Sequence, residues 1–263
     1  MMMMLTHTHL LQKRLENSSL KHETPDVYIY NIAPDLLTIH PDINSRQTHS
    51  IKRFMQAPQD HPRSAYVMFH LLVDDLAHYG NISVDCREEF DPDSAGYSYI
   101  KGRPLVEPIL ALHKMIHKDI SYNEAAYRSH LIIEMIYDLV ILSHIHNGHS
   151  IELLEEAAHF TLDKKLVEFS ADIAWLYGIE KDAVRDVLKN AVSYITKERL
   201  DRFMNIEGRI RLFTDKFGLR NDNEKFCGAI QTLFLDALHS IDNEDFLQQT
   251  AAAVRKSGWL PTG

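Results

Sequence analysis

Tyr66-Val67-Met68-Phe69-His70-Leu71-Leu72-Val73-Asp74-Asp75-Leu76-Ala77-His78-Tyr79-Gly80 is the stretch that decides the fold. Apolar residues occupy nearly every position of it, and three- and four-residue spacing recurs on both sides, so the segment reads as a helix apolar on most of its surface and central in a helical protein. Gly80-Asn81 stops it. Within that apolar rod, His70, Asp74 and His78 stand at i, i+4 and i+8 and climb one side of the helix over roughly 12 Å. Two imidazoles and a carboxylate buried without partners would cost several kcal/mol, a cost that a bound cation removes. A carboxylate flanked one turn either way by imidazoles is placed to bridge two cations.

The rest of the chain repeats the helical spacing, and strand-like alternation is almost absent. The expected fold class is all-α, a compact multi-helix bundle forming one domain over 1–263. Its metal-site core spans about 1–146, and additional C-terminal helices span about 150–263. Residues 81–104, with Pro92, Gly96, Gly102 and Pro104, read as the longest irregular segment and as a loop over a site. A short helix is expected from Pro104 to about Lys118, and Ser121-Tyr122-Asn123-Glu124 reads as a capping box opening a long helix to about His146. Further helices are expected at about 150–160, 162–177, 180–200, 201–217, 222–239 and 243–257.

That long helix carries a second ligand-type pair, His130 and Glu134, one turn apart in an apolar run. Asp138 continues the face, where it could orient His130 or pair with a cation. Upstream, Ala33-Pro34-Asp35 places a carboxylate after a residue of restricted backbone, His49 follows fourteen positions later, and His7 and His9 precede a helical pattern. Asp75, beside Asp74, is a candidate general base or support for the site, with a surface carboxylate as the plainer reading. His113 and His117 are also one turn apart, but Lys114 and Lys118 beside them suggest a solvated basic face.

Composition narrows the function. The 263 residues carry 28 Lys+Arg against 37 Asp+Glu, a formal charge of −9, which disfavours a nucleic-acid surface. Two cysteines far apart offer neither a disulfide framework nor a thiolate zinc knuckle, whereas 16 histidines raise the question of a metal. No apolar run approaches the roughly 20 residues that span a bilayer, and no secretory signal is evident, so a cytoplasmic location is expected.

The order of these residues resembles the zinc-dependent phospholipase C family, whose relatives include P1-type single-strand nucleases. The family pattern is an N-terminal His, an Ala-Pro-Asp segment, a His about 14 residues on, a helix with HxxxD and a further His, and a later helix with HxxxE. The resemblance covers about the first 140 residues. It implies that Asp35, His49, His70 and Asp74 hold one zinc and His78, His130 and Glu134 a second, with Asp74 bridging to a third ion reached by His7 or His9. His78 follows Asp74 by four residues where the family usually has six. An imidazole and carboxylate donor set suits Zn²⁺, with Mn²⁺ or Fe²⁺ as alternatives.

The resemblance implies a phosphoester hydrolase acting on a small phosphoester or phospholipid substrate, with Asp74 and Asp75 as the catalytic candidates. An HD-type phosphohydrolase is disfavoured, because no adjacent His-Asp occurs in the chain. The alternative of another class is a non-catalytic helical binding or scaffold protein that keeps a structural metal cluster.

Overall fold

A computed structural model describes residues 4–16, 23–83, 91–144, 149–241 and 245–259. Among them every extended element is a helix, apart from an isolated bridge residue at Gln56. The elements are α1 (Met4–Glu16), α2 (Asp26–Leu36), α3 (Ser45–His49), α4 (Ser64–Tyr79), α5 (Tyr97–Gly102), α6 (Val106–Met115) and α7 (Tyr122–His144). They continue with α8 (His149–Phe160), α9 (Leu166–Tyr177), α10 (Lys181–Tyr194), α11 (Lys197–Phe203), α12 (Ile206–Lys216), α13 (Glu224–Ser240) and α14 (Asp245–Lys256).

Helix α4 has neighbours on all sides: α2 lies along it most extensively, and α1, α5, α9 and α14 complete its surroundings. From Ser64 to Asp75 every residue is buried, as its apolar sequence dictates. It ends at Gly80, which adopts φ +74° and donates its N–H to the Leu76 carbonyl; a side chain there would be both strained and pressed against Ala95.

The second major helix, α7, packs against α1, α5, α6 and α13. Its start is capped as expected, with the Ser121 hydroxyl oxygen accepting the Glu124 N–H at 3.1 Å. The expected extension past His144 lies outside the described residues.

Several local expectations are corrected. Residues 81–104 are not irregular throughout, since Tyr97–Gly102 is helical. Gly96 lies so close to the last turn of α4 that a Cβ would fall 2.0 Å from the His78 carbonyl carbon, and this close approach lets α5 pack on α4. Pro34 lies inside α2, so Asp35 is held by the last turn of a helix. His7 and His9 lie within α1, not ahead of a helix. The expected 180–200 helix ends at Tyr194, and α11 follows as a separate short helix. A π-helical turn at Thr161–Lys165 links α8 to α9.

One hydrophobic cluster runs from Met4 to Trp259. Trp259 is buried against Tyr66 and Phe69, and its indole N–H donates to the Ala65 carbonyl at 2.9 Å, so the C-terminal segment packs on the first turn of α4. No described helix is long and apolar enough to cross a membrane.

Candidate metal centre

Helix α4 sends His70, Asp74 and His78 from one stripe, and four other segments bring donors to it. Three groups of donors result: His7, His70 and Asp74; Asp35, His49 and His70; and His78, His130 and Glu134, with ligand atoms in each group within 4.8 Å of one another. The first two share His70. The third lies one helical turn further along α4, a rise of about 6 Å.

Asp74 is central to the first two groups. Its Oδ1 lies 3.1 Å from His7 Nε2, while its Oδ2 lies 3.2 Å from His70 Nε2 and 3.4 Å from His49 Nε2. Asp35 Oδ1 stands 3.6 Å from His49 Nε2. A four-coordinate ion with bonds of about 2.0–2.1 Å holds its ligand atoms roughly 3.3 Å apart, so these separations match donors arranged around a common point. Both ring nitrogens of His70, together with Nδ1 of His7 and of His130, are buried and form no hydrogen bond. An unpaired buried imidazole nitrogen is costly in a folded chain, and of these atoms His70 Nε2, which faces Asp74, is the one that a cation in the cluster would satisfy.

Local backbone contacts select the donor atoms. His49 Nδ1 lies 2.9 Å from both the Ser45 carbonyl and the Thr48 hydroxyl; with the carbonyl accepting from Nδ1, the Nε2 lone pair faces Asp35 and Asp74. In the third group Glu134 Oε1 lies 2.6 Å from His78 Nε2 and 3.9 Å from His130 Nε2. Tyr99 of α5 stacks on the His130 ring at 4.6 Å and 17°.

The carboxylates and imidazoles of the cluster shift one another's proton affinities. Burial opposes ionisation of Asp74, but His70 and His7 outweigh it and hold the carboxyl well below its usual range. Burial likewise disfavours the His70 imidazolium, and Asp74 reverses the sign and raises its pKa. Glu134 overcomes burial to push His78 up to about 9, whereas burial and the neighbouring His78 drive His130 well below the ordinary histidine value.

Sequence expectations fare unevenly. His7 joins the cluster and His9 does not, because residues two apart on a helix face different ways; burial pushes His9 down to about 4. Asp75 is neither a surface carboxylate nor free for proton transfer. It is buried with its two oxygens on the Arg53 guanidinium, 2.8 Å from Nη2 and 3.2 Å from Nε, and burial raises its pKa despite that cation. Asp138 does not orient His130. It accepts from the Thr6 amide and hydroxyl and pairs with Arg209 at 3.3 Å. His113 is no solvated residue: it is buried and accepts from Arg128 at 2.6 Å, whereas His117 is exposed.

Three supporting residues carry no local sequence signal. Arg53, already paired with Asp75, also donates to the His49 and Ile51 carbonyls at 2.8 and 2.5 Å and so fixes the end of α3. Thr6 ties α1 to α7 beside His7. Arg209 reaches Asp138 from α12. Each acts through a contact distant in sequence, which spacing along one helix does not reveal. No protein-family model, curated protein or solved structure matches the chain.

Proposed function

We propose that the chain is a zinc-dependent phosphoester hydrolase. Asp35, His49, His70 and Asp74 would hold one ion and His78, His130 and Glu134 another, with Asp74 Oδ1 and His7 available to a third. The donor chemistry supports zinc, since imidazole and carboxylate without thiolate suit a borderline divalent cation. When bound, such ions supply a water deprotonated near neutral pH and neutralise phosphoryl oxygens during in-line attack.

One observation carries the catalytic over the structural reading. The His7, His70 and Asp74 group is enclosed, yet the other two groups have a more open flank, with side chains 20% exposed at Asp35, 25% at His49 and 26% at His78. A structural zinc site is closed by four protein ligands, whereas a catalytic one keeps a coordination position for water and substrate, and the His78, His130 and Glu134 group offers three donors beside an open flank.

The chain's own residues have definable tasks in this reading. Asp74 offers one oxygen to each side and fixes the spacing of the donor sets. Arg53, anchored by Asp75, holds His49 by its backbone, and Asp138 holds α1 through Thr6 so that His7 keeps its direction. Tyr99 keeps the His130 ring in one orientation by stacking. The substrate class is a small phosphomonoester or phosphodiester, a phospholipid headgroup included.

The test is metal analysis of purified protein together with hydrolysis of p-nitrophenyl phosphate and bis-p-nitrophenyl phosphate. The expected result is at least two zinc ions per chain and zinc-dependent turnover that Asp74→Asn lowers by roughly 1,000-fold, about 4 kcal/mol of barrier. Zinc-loaded protein that turns over neither ester, even at single-turnover enzyme excess, would return the chain to the scaffold reading.

A further inference from the structure

A cavity of about 300 Å³ lies beyond the metal centre, between α1, α7, α11 and α12. Met4, Leu5, Met135, Leu200, Phe203 and Leu212 give it an apolar wall. Its volume is at the lower end of the range that holds small organic ligands, about 300–1,000 Å³.

Its charged lining is unequal. Arg199, Arg209 and Lys216 contribute three cations, and Asp138 contributes one carboxylate. Arg209 is 1% exposed, and its Nε is buried with no hydrogen-bond partner. Its Nη2 makes both of its polar contacts, 3.3 Å to Asp138 and 2.9 Å to the Met204 sulfur. A guanidinium has five donors, and although Asp138 already pairs with Nη2, the buried Nε is left unused at a cost that a second anion would lower. Arg199 is exposed and lies over the Tyr194 ring at 4.0 Å, which keeps its charge at the edge of the cavity.

We propose that this cavity is a binding site for an amphiphile with one short apolar chain and one singly charged anionic head, the chain lying against Met135, Leu200 and Leu212 and the head on the Arg209 and Arg199 guanidiniums. Apolar burial supplies affinity, and the charge-assisted hydrogen bonds select the head. The site is separate from the zinc reading, because none of the nine expected metal ligands lines it.

The test is titration calorimetry of the full-length, zinc-loaded protein with decanoate, decan-1-ol, decyltrimethylammonium and acetate, all below micellar concentration. Decanoate is expected to bind at least tenfold more tightly than decanol, with acetate and the cationic amphiphile weaker still. Arg209→Met is expected to weaken decanoate at least tenfold while leaving decanol unchanged. If that variant does not fold, Arg199→Gln at the exposed edge decides, with a smaller loss of several-fold for decanoate alone. Decanol binding as tightly as decanoate, or no binding by either, overturns the proposal. Metal-stripped protein is expected to bind decanoate as well as the loaded form; loss of binding on stripping would place the carboxylate on the metal centre and equally overturn it. An inactive hydrolase that still binds decanoate leaves this inference standing.

Discussion

Thr6 gives both its amide and its hydroxyl hydrogen to one oxygen of Asp138, at 2.9 and 2.8 Å, across 132 positions of sequence. This contact fastens α1 to α7 one residue before His7. It makes the position of a candidate metal donor depend on a carboxylate that is not itself in any donor group.

Thr6→Val removes the hydroxyl contact and keeps the shape of the side chain. Outer partners of metal ligands are typically worth 10–100-fold in affinity. Thr6→Val is therefore expected to weaken one zinc equivalent by about tenfold in competition with a chromophoric chelator, leaving the others unchanged. Identical affinities for all equivalents would remove Thr6 from the support of His7.

Metal removal is expected to destabilise the fold, because the donors are imidazoles and carboxylates held together only in the native state. A ligand present at 1,000 times its Kd contributes about 4 kcal/mol. For a chain of this size that corresponds to a fall in Tm of roughly 10 °C on chelation. Scanning calorimetry before and after stripping, with zinc restored, measures it. An unchanged Tm would contradict the donor groups as cation sites.

Arg53 and Asp75 form a buried pair, and deleting one partner leaves the other charge uncompensated. Arg53→Ala is expected to cost about 3–5 kcal/mol in urea denaturation, whereas the double change Arg53→Met with Asp75→Leu recovers most of it. If the single and double variants prove equally unstable, the pair's charge balance is not what holds the end of α3.

His113 gives a pH dependence remote from the metal donors. Burial, and then Arg128, lower its pKa in the folded chain, so the unfolded state binds the proton first. Its stabilising contribution is full above the unfolded value of about 6.5 and is lost as pH falls from there toward the folded value. His113→Gln is expected to flatten the fall of Tm between pH 6.5 and 5. A parallel fall in both proteins would assign the acid sensitivity elsewhere.

Much of the candidate donor cluster was legible because its residues sit on helices at one-turn spacing. His70, Asp74 and His78 share a face by helical geometry alone, as do His130 and Glu134, and the apolar residues around them require that face to be internal. His113 defeated the same reasoning. Lysines beside it suggest a wet face, but they point outward while the imidazole turns inward to Arg128. The plainer surface reading of Asp75 fails too, since nothing within its own helix announces Arg53.

The amino-acid order by itself determined the helical class, the central apolar rod and the internal stripe of imidazole and carboxylate, because each follows from periodicity within one segment. Only tertiary packing decided that His7 and not His9 meets Asp74, that Asp75 is held by Arg53 and that Asp138 secures Thr6. Those outcomes depend on how separate helices rotate and dock, and docking is fixed by the whole set of buried contacts rather than by any local pattern.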